Sequence, residues 1–126
     1  MKGKQRFFVC ESCGNLVGML VNNAPLVCCG NEMTELTPNT TEASKEKHIP
    51  DVKLEGDSLT VSVGSAPHPM EENHHISFVY VETENGGQRK ALKPGQEPKL
   101  MFRFADDSPV AVYAYCNVHG LWGAQL

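Results

Sequence analysis

Val110-Ala111-Val112-Tyr113-Ala114-Tyr115-Cys116-Asn117-Val118-His119-Gly120 is the stretch from which the fold can be read. Val110, Val112 and Ala114 share one parity, the period-two signature of a half-buried strand, and the run ends in a Cys-x2-His loop. The same alternation recurs upstream in Leu59, Val61 and Val63, in Ile76, Phe78 and Tyr80, and in Leu100, Phe102 and Phe104. Turn signals separate these runs at Glu55-Gly56-Asp57, Asn85-Gly86-Gly87, Pro94-Gly95 and Asp106-Asp107-Ser108-Pro109. Short strands at such spacing predict an antiparallel β-sandwich of about 80–90 residues.

The N-terminal part reads differently. Short apolar segments, Phe7-Phe8-Val9 and Leu16 to Val21, are broken by Gly14 and by the turn Asn22-Asn23-Ala24-Pro25. About 36 residues of this kind cannot hold together by apolar burial alone and need a staple. Four of the five cysteines, Cys10, Cys13, Cys28 and Cys29, fall here. The expected domains are therefore residues 1–36, a small cysteine-rich unit, and 37–126, the sandwich. Thr34 to Lys47 reads as a polar linker in which a helical turn through Glu42 to Lys47 is feasible.

The whole chain has 126 residues, 40% hydrophobic and 21% charged, with a formal charge of −4. This composition suits a globular protein and not a disordered one. The negative charge excludes broad attraction to nucleic acid or anionic lipid. An anionic substrate would have to be drawn by a local positive patch. The longest strongly apolar stretch is too short to span a bilayer, and no secretory apolar region follows the basic start. An odd number of cysteines makes a disulfide framework a poor fit, so a cytoplasmic protein is expected.

Metal chemistry is the alternative use of these residues. Cys-x2-Cys, fourteen residues, then an adjacent Cys28-Cys29 pair can supply a tetrahedron of sulfur, a set that selects zinc or iron. The adjacent pair departs from the usual zinc ribbon, which repeats Cys-x2-Cys. The remaining candidate ligands are His48, His68, His74, Cys116 and His119, of which Cys116 and His119 have a spacing that suits one ion. Prolines hold His68 extended on both sides, and His74 shares the parity of Ile76, which aims it toward the mouth of the sandwich. His75 has the opposite parity and reads as a surface residue.

Together, Cys10/Cys13/Cys28/Cys29, Glu-Lys-His-x-Pro at 46–50, His-Pro-Met-Glu-Glu-x-His at 68–74 and Cys-Asn-x-His-Gly at 116–120 resemble desulfoferrodoxin, the two-iron class of superoxide reductase. The resemblance spans essentially the whole chain in order. It implies an all-β protein, a desulforedoxin-like domain followed by an immunoglobulin-like sandwich. It also implies two iron ions per chain, one on the four cysteines and one on His48, His68, His74, His119 and an axial Cys116. By the same resemblance His119 would bind through Nδ1 and the other three histidines through Nε2. Glu46 would be a carboxylate ligand in the resting ferric state, and Lys47 would stand beside the open position, where its charge can steer a small anion. The implied reaction is one-electron reduction of superoxide to hydrogen peroxide, with a rubredoxin-type electron donor and a homodimer. Cys116 and His119 are expected to follow the last strand, and the residues after Gly120 are assigned no role.

Two other readings compete. A Cys-x2-His loop after a strand also suits a cupredoxin-like electron carrier, although no methionine follows His119 and two histidines would go unused. A zinc-ribbon interaction module with scattered histidines would place no second metal group.

Overall fold

The computed structural model describes residues 3–126, and they form two compact units, Lys4–Thr37 and a larger one built on Pro38–Leu126. The smaller unit contains β1 (Arg6–Val9), β2 (Leu16–Met19), β3 (Val27–Cys28), β4 (Asn31–Glu32) and β5 (Thr34–Leu36). β1 lies between β2 and β5 in a three-stranded antiparallel sheet, and β3 pairs with β4 in a separate hairpin. Thr34–Leu36 is thus a strand and not the start of a linker. Its alternating Thr-Glu-Leu is short enough to look like polar coil in sequence. Only Phe7, Phe8 and Cys10 are buried as apolar residues in this unit.

The larger unit opens with a short helix, α1 (Lys45–His48), one turn at the end of the expected helical region. Seven strands follow: β6 (Pro50–Glu55), β7 (Ser58–Val63), β8 (Ile76–Thr83), β9 (Gly87–Ala91), β10 (Lys99–Arg103), β11 (Pro109–Cys116) and β12 (Gly120–Gln125). They make a β10-β7-β6 sheet and a β12-β11-β8-β9 sheet, every pair antiparallel. This is the expected sandwich. Between the sheets lie Leu59, Val61, Val63, Ile76, Val79, Val81, Phe102, Val112, Ala114 and Cys116. Each large aliphatic or aromatic side chain among them contributes about 1.5–3 kcal/mol on burial.

Two expectations need correction. On β8 the core face is carried by Ile76, Val79 and Val81, while Phe78 stacks on Tyr115 and Tyr80 lies tilted against Tyr113 on the other face. The cause is a register irregularity: Tyr115 pairs Phe78 but Cys116 pairs Ile76, so Ser77 is an extra residue and parity inverts across it. The Cys-x2-His loop also does not end the sheet. Gly120–Gln125 returns along β11, pairing Cys116 with Gly120 and Ala111 with Gln125. Two glycines interrupt its apolar pattern and hide the strand from a periodicity reading.

Candidate metal centres

In the smaller unit the cysteines occupy two turns. Beyond β1 the Gly14 N–H donates to Cys10 O at 2.8 Å and the Cys10 N–H to Asn15 O at 2.8 Å. Gly14, at φ +82°, closes this turn and leaves the Cys10 and Cys13 sulfurs on one side. The adjacent pair is resolved by a tight hairpin. Cys28 is the last residue of β3, and Cys29 and Gly30 form the two-residue loop with φ of 54° and 77°. Positive φ at both loop positions is what the twist of a hairpin demands. It also turns Cys29 back toward Cys28.

All four sulfurs lie within 4.8 Å of one another, with Cys13–Cys28 at 3.6 Å and Cys28–Cys29 at 4.0 Å. A disulfide requires about 2.05 Å, so these are free thiols. Sulfurs bound to one tetrahedral zinc-sized ion at about 2.3 Å would be about 3.8 Å apart. Their acidities are spread apart by proximity. The Cys13 backbone N–H leads in drawing Cys10 down to about 6, while hydrogen bonding with Cys13 and then Cys10 pushes Cys29 up to about 12. Four thiolates at this spacing call for a cation.

The second group is assembled from three places in the sandwich. His48 ends α1, His68 and His74 lie on the β7–β8 connection, and Cys116 and His119 flank the β11–β12 turn. Their five donor atoms also lie within 4.8 Å of one another. His48, His68 and Cys116 are buried. His75 stands outside the group, its Nδ1 donating to Glu71 O at 2.9 Å.

The tautomers follow from backbone carbonyls. Nδ1 of His48 lies 2.6 Å from Ser44 O, and Nδ1 of His68 lies 2.7 Å from Pro69 O. A carbonyl only accepts, so each Nδ1 carries hydrogen and each neutral ring presents a lone pair at Nε2. Burial, reinforced by neighbouring imidazoles, holds both rings neutral: His48 is shifted below its ordinary value and His68 falls to about 4. Yet the two Nε2 atoms face each other at 3.0 Å, and His48 Nε2 lies 3.1 Å from His119 Nδ1. Facing lone pairs repel. His74 Nε2, also buried, has no hydrogen-bond partner. An orphaned nitrogen and opposed lone pairs make sense around a shared cation. At about 2.0–2.1 Å per metal–imidazole bond, nitrogens at a right angle are about 3.0 Å apart. Carbonyls fixing the far ring nitrogen are the usual support of metal-binding histidines.

Cys116 Sγ accepts the His119 N–H at 3.3 Å. Trp122, unassigned by sequence, supports two of the histidines. Its ring centroid is 4.8 Å from that of His48, and its Nε1–H donates to His119 O at 3.0 Å. Glu46 and Lys47 share α1 with His48, and both are exposed. The Glu46 carboxyl is held below its ordinary range, first by its own backbone N–H. Glu46 is not among the five converging donors. A copper site of two histidines, cysteine and methionine does not account for five donors, nor does a module of scattered histidines.

Residues 40–125 match the desulfoferrodoxin family. A desulfoferrodoxin homologue from Archaeoglobus fulgidus is 45% identical over 116 residues, 91% of this chain and 92% of that protein. The crystal structure of the superoxide reductase from Treponema pallidum superposes with a TM-score of 0.81 at 31% identity, covering 98% of this chain and 100% of that one. The one-iron superoxide reductase of Giardia intestinalis aligns at 31% identity and TM-score 0.54 over 65% of this chain and 98% of its own. Fold and donor set thus define the class, that of the superoxide reductases and their relatives. The chain belongs to the desulfoferrodoxin family.

Proposed function

We propose that this protein is a superoxide reductase, taking superoxide, one electron and two protons to hydrogen peroxide without releasing dioxygen. The convergence of four histidines and Cys116 from separate segments, with the His48 and His68 lone pairs opposed, carries the reading. Iron bound to this group would supply one electron and a Lewis-acidic position for an anion. The surrounding residues have distinct tasks. Neutral imidazoles, those of His48 and His68 kept in one tautomer by Ser44 O and Pro69 O, would leave the site's positive charge offset only by the Cys116 thiolate. Cys116 would add thiolate electron density that favours the oxidised state, and the His119 N–H tempers its basicity. Lys47 Nζ draws the anion in and orients the water that delivers protons. Glu46 would serve as a carboxylate ligand in the resting oxidised state, for which its exposed side chain would have to turn toward the five donors.

A second iron on Cys10, Cys13, Cys28 and Cys29 brings the expected content to two per chain. Bound there it would clamp the small unit and supply a redox-active centre, and a rubredoxin-type protein is the proposed donor. Exposed Leu20, Val21 and Val27 on the small unit suit a homodimer. Five cysteines without a disulfide suit a reducing, cytoplasmic setting. Among the described residues no helix is long and apolar enough to cross a membrane.

The test is Cys116→Ser and, separately, His119→Ala, assayed for superoxide consumption, peroxide yield and metal content. Both variants should lose the activity and the second metal while the four-cysteine centre stays loaded. Full activity in either one refutes the assignment.

A further inference from the structure

The four histidines of the second group are not held alike. His48 and His68 have ring nitrogens tied to backbone carbonyls, and His119 is fixed through its backbone by Cys116 and Trp122. Among the described residues the His74 ring has no such tie. Its ring packs beside two other members of the group, with centroids 4.8 Å from His68 and 5.0 Å from His119. Its main chain makes a single isolated bridge to Glu71, at 2.9 and 3.2 Å, within the same loop. Such a short loop does not by itself locate a ligand relative to the rest of the sandwich.

Asn117 provides what is missing. Its Oδ1 accepts the His75 N–H at 2.8 Å, and its Nδ2–H donates to Asn73 O at 3.1 Å. One side-chain amide therefore brackets His74 on both flanks. The Asn117 backbone N–H adds a bond to His75 O at 3.2 Å. Asn117 follows Cys116 directly and precedes His119 by two residues, inside the turn that carries both. Its side chain is exposed, so it adds little to the apolar core.

We infer that Asn117 is a positioning residue of the second metal centre, locking the His74 loop to the Cys116–His119 turn. The amide is suited to this as few side chains are, because the clamp needs one acceptor and one donor on the same planar group. The change Asn117→Asp keeps the acceptor but sets a carboxylate oxygen against Asn73 O. A serine in its place would be too short to reach both partners.

The inference rests on the reading of the five donors as a metal site. It is tested by anaerobic Fe2+ loading of the full chain against a competing chelator, for wild type, Asn117→Ala and Asn117→Asp. Each protein is also melted metal-free. Outer-shell partners of metal ligands typically matter by about 10–100-fold in affinity. Asn117→Ala should release the second iron about 10–100-fold more readily, shift the thiolate-to-iron absorption band of the oxidised centre, and leave the four-cysteine centre loaded. The metal-free melting temperature should move little, since the side chain is exposed. Asn117→Asp should fall between wild type and Asn117→Ala in retention, and it carries the test alone if the alanine variant is not recovered folded. Retention within about threefold of wild type, with an unshifted band, overturns the inference, being well short of the outer-shell range. A fall in metal-free stability with retention unchanged also overturns it, showing a merely structural turn residue. A wild-type chain that takes up no second metal overturns the site reading itself, and is told apart from either result by the wild-type titration.

Discussion

The two donor groups are built by opposite routes. Around the four cysteines, three of the four residues are exposed or half-buried, and the ligands sit in turns of a unit whose apolar core is Phe7 and Phe8 beside Cys10. Around the histidines, the ligands hang from a sandwich with a continuous core of some of its best-buried residues, among them Leu59, Phe102 and Val112. In the first case a metal bound as proposed would make the fold. In the second the fold makes the site, opposing lone pairs at 3.0 Å before any cation is considered. The lesson is that the same local signature, clustered soft ligands, implies different consequences for losing the metal.

Metal removal should therefore produce the largest effect and confine it to one unit. Binding a structural ion is worth on the order of 10 kcal/mol to a domain with little core of its own. After exhaustive chelation under reducing conditions, amide hydrogen exchange across residues 4–37 should approach the unprotected rate, while β7, β8 and β11 stay protected. Equal protection of both units after chelation would break the contrast, and so would joint unfolding.

Acid should act on the other side of the comparison. In metal-free protein the folded His48 and His68 titrate below their ordinary value, His68 at about 4, because burial disfavours the charged ring. The unfolded chain binds protons from about pH 6.5 downward, where the folded one does not. Stability of the sandwich is thus flat with respect to these rings above about pH 6.5, declines as pH falls, and levels once His68 titrates near 4. Urea midpoints at about pH 7.5, 5.5 and 4.5, spanning that window, check this, and His68→Asn should flatten the decline between the first two. A wild-type midpoint unchanged between the first two values would refute it.

Much of this was legible in the chain. Alternation placed Leu59, Val61 and Val63 correctly, because β7 is regular and its polar residues Thr60 and Ser62 are less buried. Cysteine and histidine spacing pointed to both donor groups, since ligands must reach one point whatever the scaffold. Failures came where geometry is not periodic. A single extra residue at Ser77 inverted the face of β8, whereas on β11 the alternation held, Val112 and Ala114 lying in the core although Ala111 and Tyr113 are buried too. Trp122 and Asn117 escaped because their importance lies in what they touch, not in what they could ligate. A lone tryptophan two residues beyond a Cys-x2-His-Gly turn was the available clue to the first. For the second, an asparagine between two ligands, the partners Asn73 and His75 lie 44 and 42 positions away in sequence, too far for any local pattern to connect them.

The smallest effect expected concerns the approach to the second group. The chain carries a formal charge of −4, so its mean field repels an anion. Lys47 is exposed on α1 next to the buried His48, with Glu46 on its other side. Fields from one exposed ammonium are screened over about 8 Å at physiological salt, so its influence is local and salt-dependent. Lys47→Ala should slow superoxide capture by about 2–10-fold at low ionic strength and flatten the salt dependence of the rate, while Lys47→Arg keeps both. Unfolding midpoints should be unmoved, because an exposed lysine stem packs against little and such changes stay within about 0.5 kcal/mol. The pairing of readouts matters. A slower rate with the salt slope preserved would mean that Lys47 acts in proton delivery and not in steering. An unchanged rate and slope would remove Lys47 from the reaction and leave the field of the metal group alone to overcome the repulsion of the chain.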